Sequence, residues 1–237
     1  MLRALLFDMG GTLDGDGLHW LDRFVRLYAD AGLELPRERV RAAFDAAERR
    51  AAVDEAIAGA GLTAMVAQHV AWQLEELSLD RPELHAVIVD RFVDAVRASA
   101  STNARLLAGL AARGLKLGVV SNGCGNVGVL CEELGYAPSL ATVVDSRRVG
   151  LFKPDPAIFL YASSLLGVPA ADTMMVGDSF DRDIRPAKGA GMATAWLEGP
   201  ESRECPDPSL VDVRLRRLVD LPAVLEASAI GAGAPRS

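Results

Sequence analysis

Ala4-Leu-Leu-Phe-Asp8-Met-Gly-Gly-Thr12 begins with four apolar residues, reaches a carboxylate at Asp8 and, after Met9, two glycines. Such a run, without polar alternation, reads as a strand covered on both faces. Two later stretches repeat the pattern, Leu117-Gly-Val-Val-Ser-Asn122 and Thr173-Met-Met-Val-Gly-Asp178. Helical periodicity lies between and after them, over Asn103 to Arg113, Pro156 to Leu166 and Arg182 to Gly191. Strands alternating with helices predict an α/β fold with a doubly wound, Rossmann-like parallel sheet. Ligands of such sheets bind beyond the carboxyl ends of the strands, so Asp8, Ser121, Asn122 and Asp178 are expected to share one crevice.

Between the first two runs the sequence changes character. From Asp16 to Ala100 strand signals are nearly absent, and apolar residues recur at helical spacing, as in Leu21-Phe24-Val25-Tyr28 and Met65-Val66-His69-Val70. Pro36 and Pro82 suit first turns of helices, and Gly32 and Gly59 suit helix stops. Residues 16–100 are therefore expected to form a four-helix insert, with residues 1–15 and 101–237 forming the core and 228–237 a frayed tail.

Composition narrows the function. The 237 residues are 50% hydrophobic and carry a net charge of -7, which speaks for a large buried core and against nucleic acid as a partner. The N-terminal apolar run meets Asp8 too early for a signal peptide, and no membrane anchor is expected. Cys124, Cys131 and Cys205 form no Cys-x-x-Cys pair, which suits free thiols in the cytoplasm. No sequence feature sets the oligomeric state.

Four segments carry the chemistry: Asp8-Met-Gly10-Gly-Thr12, Ser121-Asn122-Gly123, Lys153-Pro-Asp-Pro156, and Gly177-Asp178-Ser-Phe-Asp-Arg-Asp183. In this order and at these separations they resemble the haloacid dehalogenase superfamily, with residues 16–100 where that family's helical cap follows the first motif. The resemblance implies a Mg²⁺-dependent phosphatase acting on a small phosphorylated metabolite. It also implies metal ligation by the backbone carbonyl of Gly10 and direct or indirect support from Asp183.

The residue types fit that chemistry in their own right. A carboxylate at a strand end can attack phosphorus, which makes Asp8 the candidate nucleophile. A phosphate dianion approaches clustered carboxylates only if a cation screens them, and Asp8 and Asp178 are suited to hold Mg²⁺. Lys153 would neutralise the phosphoryl oxygens, and Ser121 and the Asn122 region would donate hydrogen bonds to them. Only three of the 25 basic residues are lysine, so a lysine at that position is less expected by chance than an arginine. His19, Arg23, Trp72 and the Arg49-Arg50 pair are available to line the cap, whereas His69 reads as a packed core residue.

One departure matters. Phosphatases of that family usually carry a second aspartate two residues after the nucleophile as general acid and base, and here that position is Gly10. Proton transfer of that kind contributes about 10²- to 10⁴-fold, so slow hydrolysis favouring acyl, anomeric or aryl phosphates is expected. Asp14 and Asp16, beside Gly15 and Gly17, read as turn acids, with one of them swinging in, or water, as the open alternative for the missing acid and base. Two branches that also lack this aspartate fit poorly: phosphonate cleavage needs a cap lysine, and no lysine precedes Lys116, while dehalogenation dispenses with the Asp178 and Asp183 pair. Two alternatives stay open. One is a weakened member of the fold that binds a phosphorylated ligand or partner without turnover. The other is NAD binding through Gly123-Cys-Gly125-Asn-Val-Gly128, which matches Gly-x-Gly-x-x-Gly behind a strand and has Asp145 beyond it.

Overall fold

The computed structural model describes residues 1–200 and 203–227. The expected frayed tail, 228–237, lies outside the described residues. Strand β1 (Ala4–Phe7) leads into helices α1 (Trp20–Asp30), α2 (Arg37–Ala51), α3 (Leu62–Glu76) and α4 (Pro82–Ala112). Then follow β2 (Lys116–Ser121), α5 (Val127–Glu133), β3 (Thr142–Asp145), α6 (Ser146–Val149) and α7 (Ala157–Leu166). The chain continues through β4 (Thr173–Gly177), α8 (Arg185–Gly189), β5 (Ala193–Leu197), β6 (Val213–Leu215) and α9 (Leu221–Ala227).

The six strands form one parallel sheet in the order β3-β2-β1-β4-β5-β6. Phe7 is level with Val119 on one side and Val176 on the other, so β1, β2 and β4 end side by side at the point where the strand order reverses. That is the crevice position of a doubly wound sheet.

The strands are continuous apolar runs because both faces are covered. Successive side chains alternate sides. Leu5 and Phe7 join Leu117, Val119, Met174 and Val176 in a core shared with the insert's Phe24, Phe44 and Phe92, while Ala4 and Leu6 pack with Val120, Val144, Phe159 and Met175. The helical insert thus shares a hydrophobic core with one sheet face. Helix α4 is the physical link: its 31 residues run unbroken through positions 100 and 101, where composition changes but helical periodicity does not.

Three strands escape the apolar-run signal. β3 has only Val143 and Val144 between Thr142 and Asp145, β5 is interrupted by Thr194, and β6 is a three-residue edge strand with an exposed Arg214 at its centre. Gly32, at φ +81°, follows α1 as expected, but α2 stops at Ala51 and Gly59 only closes a short turn, Ile57–Gly59. The helical pattern after Arg182 begins with a wide turn, Phe180–Ile184, before α8. No described helix is long and apolar enough to cross a membrane.

Candidate active site

The end of β1 delivers Asp8 into a cleft of about 120 Å³. Behind Asp8 the chain turns sharply through Gly10, still extended at φ -73° and ψ 113°, and Gly11 at φ +89°. Gly11 is required twice over: its φ is one that L side chains avoid, and a Cβ there would lie 2.7 Å from the carboxylate of Asp178.

Three carboxylates converge. Asp8, Asp178 and Asp183 each present an oxygen within 4.8 Å of the others, and Asp178 and Asp183 are buried. Lys153 Nζ donates to Asp8 Oδ1 at 2.7 Å and to Asp183 Oδ1 at 2.6 Å. Burial works against the charge on Lys153, but Asp183 and Asp8 hold its pKa above the ordinary value. Asp183 Oδ2 accepts from the Ser179 backbone at 3.1 Å, and its carboxyl is pushed up to about 6 by burial, with Lys153 opposing. Asp178 accepts from the Thr12 hydroxyl at 3.0 Å and forms no ion pair among the described residues. Burial, then the charges of Asp8 and Asp183, push its carboxyl well above the usual range. One ammonium for three carboxylates leaves a charge deficit that a divalent cation would fill, so the donor set fits Mg²⁺.

Of the other residues singled out from sequence, Ser121 ends β2 and lines the cleft, as does Gly10. The Asn122 side chain is otherwise engaged. Its Nδ2 donates to the Lys153 carbonyl at 3.0 Å and its Oδ1 accepts from the Lys153 N–H at 2.8 Å, a two-bond clamp on the lysine's backbone.

Asp14 is not a surface turn acid. It is 2% exposed and lines the cleft, with Oδ1 accepting from Gly11 N at 2.7 Å and Oδ2 from Trp20 Nε1 at 2.6 Å. Burial, opposed by Arg23 and these two donors, pushes its carboxyl up to about 6. Asp16 does behave as a turn acid, at φ +49° with its carboxylate accepting from Leu218 N at 2.6 Å.

The insert supplies the far wall through His19, Trp20, Phe44, Glu48 and Met65, and Arg182 reaches in from the core. Of the cap residues suggested by sequence only His19 lines the cleft. Arg23 lies beneath Asp14, donating to its carbonyl at 2.9 Å and covering the Phe92 ring. Trp72 is buried under Arg50, which pairs with Glu75. His19 caps α1 through Nδ1, which accepts from Leu21 N at 3.2 Å, and its Nε2 is 2.8 Å from an Arg182 nitrogen. Burial, then the Arg182 charge, lower its pKa. His69 is the expected core residue, buried among Trp20, Phe24 and Phe44, with Nε2 holding Glu48 Oε1 at 2.9 Å. Trp20 and Glu48 carried no sequence signal for the site, Asp14 could not be told apart from Asp16, and Arg182 could have been suspected from its place beside Asp183.

The glycine pattern after β2 does not make a dinucleotide site. Asp145 Oδ2 accepts from Gly125 N at 2.9 Å and Val127 N at 3.1 Å, and Oδ1 accepts from Arg147 N at 3.0 Å. An anionic side chain already occupies the amides that would bind pyrophosphate.

A family model described as haloacid dehalogenase-like hydrolase matches residues 2–191. The chain is 34% identical over 113 residues to a glyceraldehyde 3-phosphate phosphatase of Methanocaldococcus jannaschii, covering 47% of this chain and 50% of that protein. It is 31% identical over 196 residues to an N-acetylmuramic acid 6-phosphate phosphatase of Pseudomonas aeruginosa, covering 82% and 80%. The chain spans half or less of the length of several other curated relatives it matches. Among solved structures, a magnesium-bound HAD-hydrolase of Bacillus subtilis superposes with a TM-score of 0.56 at 20% identity, covering 95% of this chain and 99% of that one, which shows a shared fold.

Proposed function

Because this chain belongs to the haloacid dehalogenase-like hydrolases, we propose that it is a Mg²⁺-dependent phosphomonoesterase acting on a small phosphorylated metabolite in the cytoplasm. The observation that carries the reading is the strand-end Asp8 at the floor of a small cleft, with Lys153 on one oxygen and two further buried carboxylates beside it. Phosphatases of sugar and triose phosphates among the relatives support the substrate class.

Asp8 is the nucleophile: its free carboxylate oxygen forms the new bond to phosphorus as the ester oxygen departs, leaving an aspartyl-phosphate that water then hydrolyses. Lys153 balances charge on the phosphoryl oxygens, and its position is set by the Asn122 clamp on its backbone. Ser121 and the Asn122 segment donate hydrogen bonds to the same oxygens. Asp8, the Gly10 carbonyl, Asp178 and Asp183 would hold Mg²⁺, which supplies charge screening between carboxylates and phosphate. His19, Glu48 and Arg182 face the part of the substrate beyond the phosphate, and the insert's aromatic wall excludes water.

The test is phosphate release with and without Mg²⁺ by the wild type and Asp8→Asn. Metal-dependent turnover that disappears in Asp8→Asn is expected. Metal-dependent phosphate binding with no Asp8-dependent turnover would instead identify a binding protein on this fold.

A further inference from the structure

Gly10 leaves the position two residues beyond the nucleophile without a side chain, and the surrounding structure shows what stands there instead. A Cβ at Gly10 would meet only the Trp20 indole, with Nε1 at 3.9 Å. That N–H donates to Asp14 Oδ2 at 2.6 Å. The indole therefore bridges the vacant side-chain position to a buried carboxylate lining the same cleft as Asp8. We propose that Asp14 is the general acid and base of this enzyme, acting from the far end of the turn in place of the side chain that Gly10 lacks.

The assignment rests on the phosphatase reading and deepens it. Asp14 is held by Gly11 N on one oxygen and Trp20 Nε1 on the other, and each oxygen keeps a lone pair for a proton. The charged and titratable groups facing it are Asp8 from β1, Arg23 from α1 and Tyr136 from the turn after α5, whose hydroxyl donates to the Leu13 carbonyl at 2.8 Å. Burial places its titration at about 6, close to where a group serving both as acid and as base works best. Asp16 is no rival, since its carboxylate is committed to Leu218 N.

The steps balance. As Asp8 oxygen bonds to phosphorus and the phosphorus–ester oxygen bond breaks, the Asp14 carboxyl proton passes to the departing oxygen, releasing an alcohol. The Asp14 carboxylate then takes a proton from water as that water's oxygen attacks the aspartyl-phosphate. The phosphorus–Asp8 bond breaks, freeing inorganic phosphate, and Asp14 is again protonated. Alkyl phosphates are then turned over as well as activated ones.

The test follows an alkyl and an aryl phosphate with wild type, Asp14→Asn, Gly10→Asp and the Gly10→Asp/Asp14→Asn double variant, each checked for folding by thermal melt. Asp14→Asn is expected to lose alkyl turnover by about 10²- to 10⁴-fold. With the aryl ester it should release a burst of one leaving group per enzyme and then stall as the aspartyl-phosphate. Gly10→Asp should restore alkyl turnover in the double variant. Equal losses on both esters without a burst and without rescue, or no loss at all, would overturn the assignment and make Asp14 an anchor of the turn. Should Asp14→Asn not fold, Trp20→Phe serves: losing the donor to Oδ2 should move the pH profile of alkyl turnover upward, and an unmoved profile counts against Asp14. Asp8-dependent turnover with an indifferent Asp14 sinks this inference alone, whereas no turnover by wild type or Gly10→Asp sinks the phosphatase reading with it.

Discussion

Two glycine-rich turns leave adjacent strands of the same sheet, Met9-Gly10-Gly11 after β1 and Gly123-Cys124-Gly125 after β2, and they have opposite fates. The second closes on Asp145, whose carboxylate accepts three backbone N–H groups, from Gly125, Val127 and Arg147. The first is only partly closed. Asp14 takes the Gly11 N–H and one indole N–H, while Asp8 and Gly10 face the cleft. The Asp145 carboxylate, tied to three backbone donors, is a structural staple, whereas burial outweighs the two donors on Asp14 and raises its pKa.

The comparison can be broken in four ways. The largest effect is expected from Lys153→Met, which strips from Asp8, at the first turn, and from Asp183 the one ammonium that pairs with them among the described residues. Phosphate release should fall to background. Unfolding by denaturant in chelator should show a loss of about 3–5 kcal/mol, the usual result of removing one partner from a buried ion pair. Retained stability would mean the two carboxylates take up protons at little cost.

Asp145→Ala should break the second turn instead, leaving three N–H groups without their acceptor at a cost of about 3 kcal/mol. Asp8-dependent turnover should survive below the melting temperature. A variant as stable as wild type but inactive would show that this turn does carry chemistry.

A pH series tests the first turn more finely. Asp14 titrates at about 6 in the folded protein against an ordinary 3.8, so its contribution favours folding below the ordinary value and is lost as pH rises through the folded one. In chelator, the stability difference between wild type and Asp14→Asn should therefore move in favour of the variant by about 2–3 kcal/mol from pH 3.5 to pH 7. A difference that does not change with pH would show that Asp14 is not held protonated by burial.

The smallest effect is expected at the edge of the first turn. His19→Ala removes the side-chain cap of α1, the helix that carries Trp20 and Arg23 to Asp14, and should cost about 1 kcal/mol in thermal unfolding. A cost near zero would mean that core packing alone holds that helix.

The candidate site was legible from sequence wherever a side chain ends a strand or directly follows it. Asp8, Ser121 and Asp178 are of this kind, because an apolar run announces its strand and a parallel sheet places all its strand ends at one edge. The strands with weak apolar signal, β3 and β6 among them, were not legible, and with β3 went Asp145. Glu48 was silent because its place in the cleft depends on His69, 21 residues away on another helix.

Asp14 and Asp16 show where sequence reasoning stops. They stand two apart in the same glycine-rich stretch and read alike, yet one meets Trp20 and Arg23 from α1 and the other meets Leu218 near the end of the described chain. By itself the sequence determined the parallel sheet, the family, and the acids and lysine gathered at the strand ends, since these follow from local periodicity and motif order. Only the tertiary structure decided which glycine turn is closed, which turn acid enters the cleft and what Asn122 holds. Those outcomes depend on partners brought from distant elements, and no local pattern of residues encodes them.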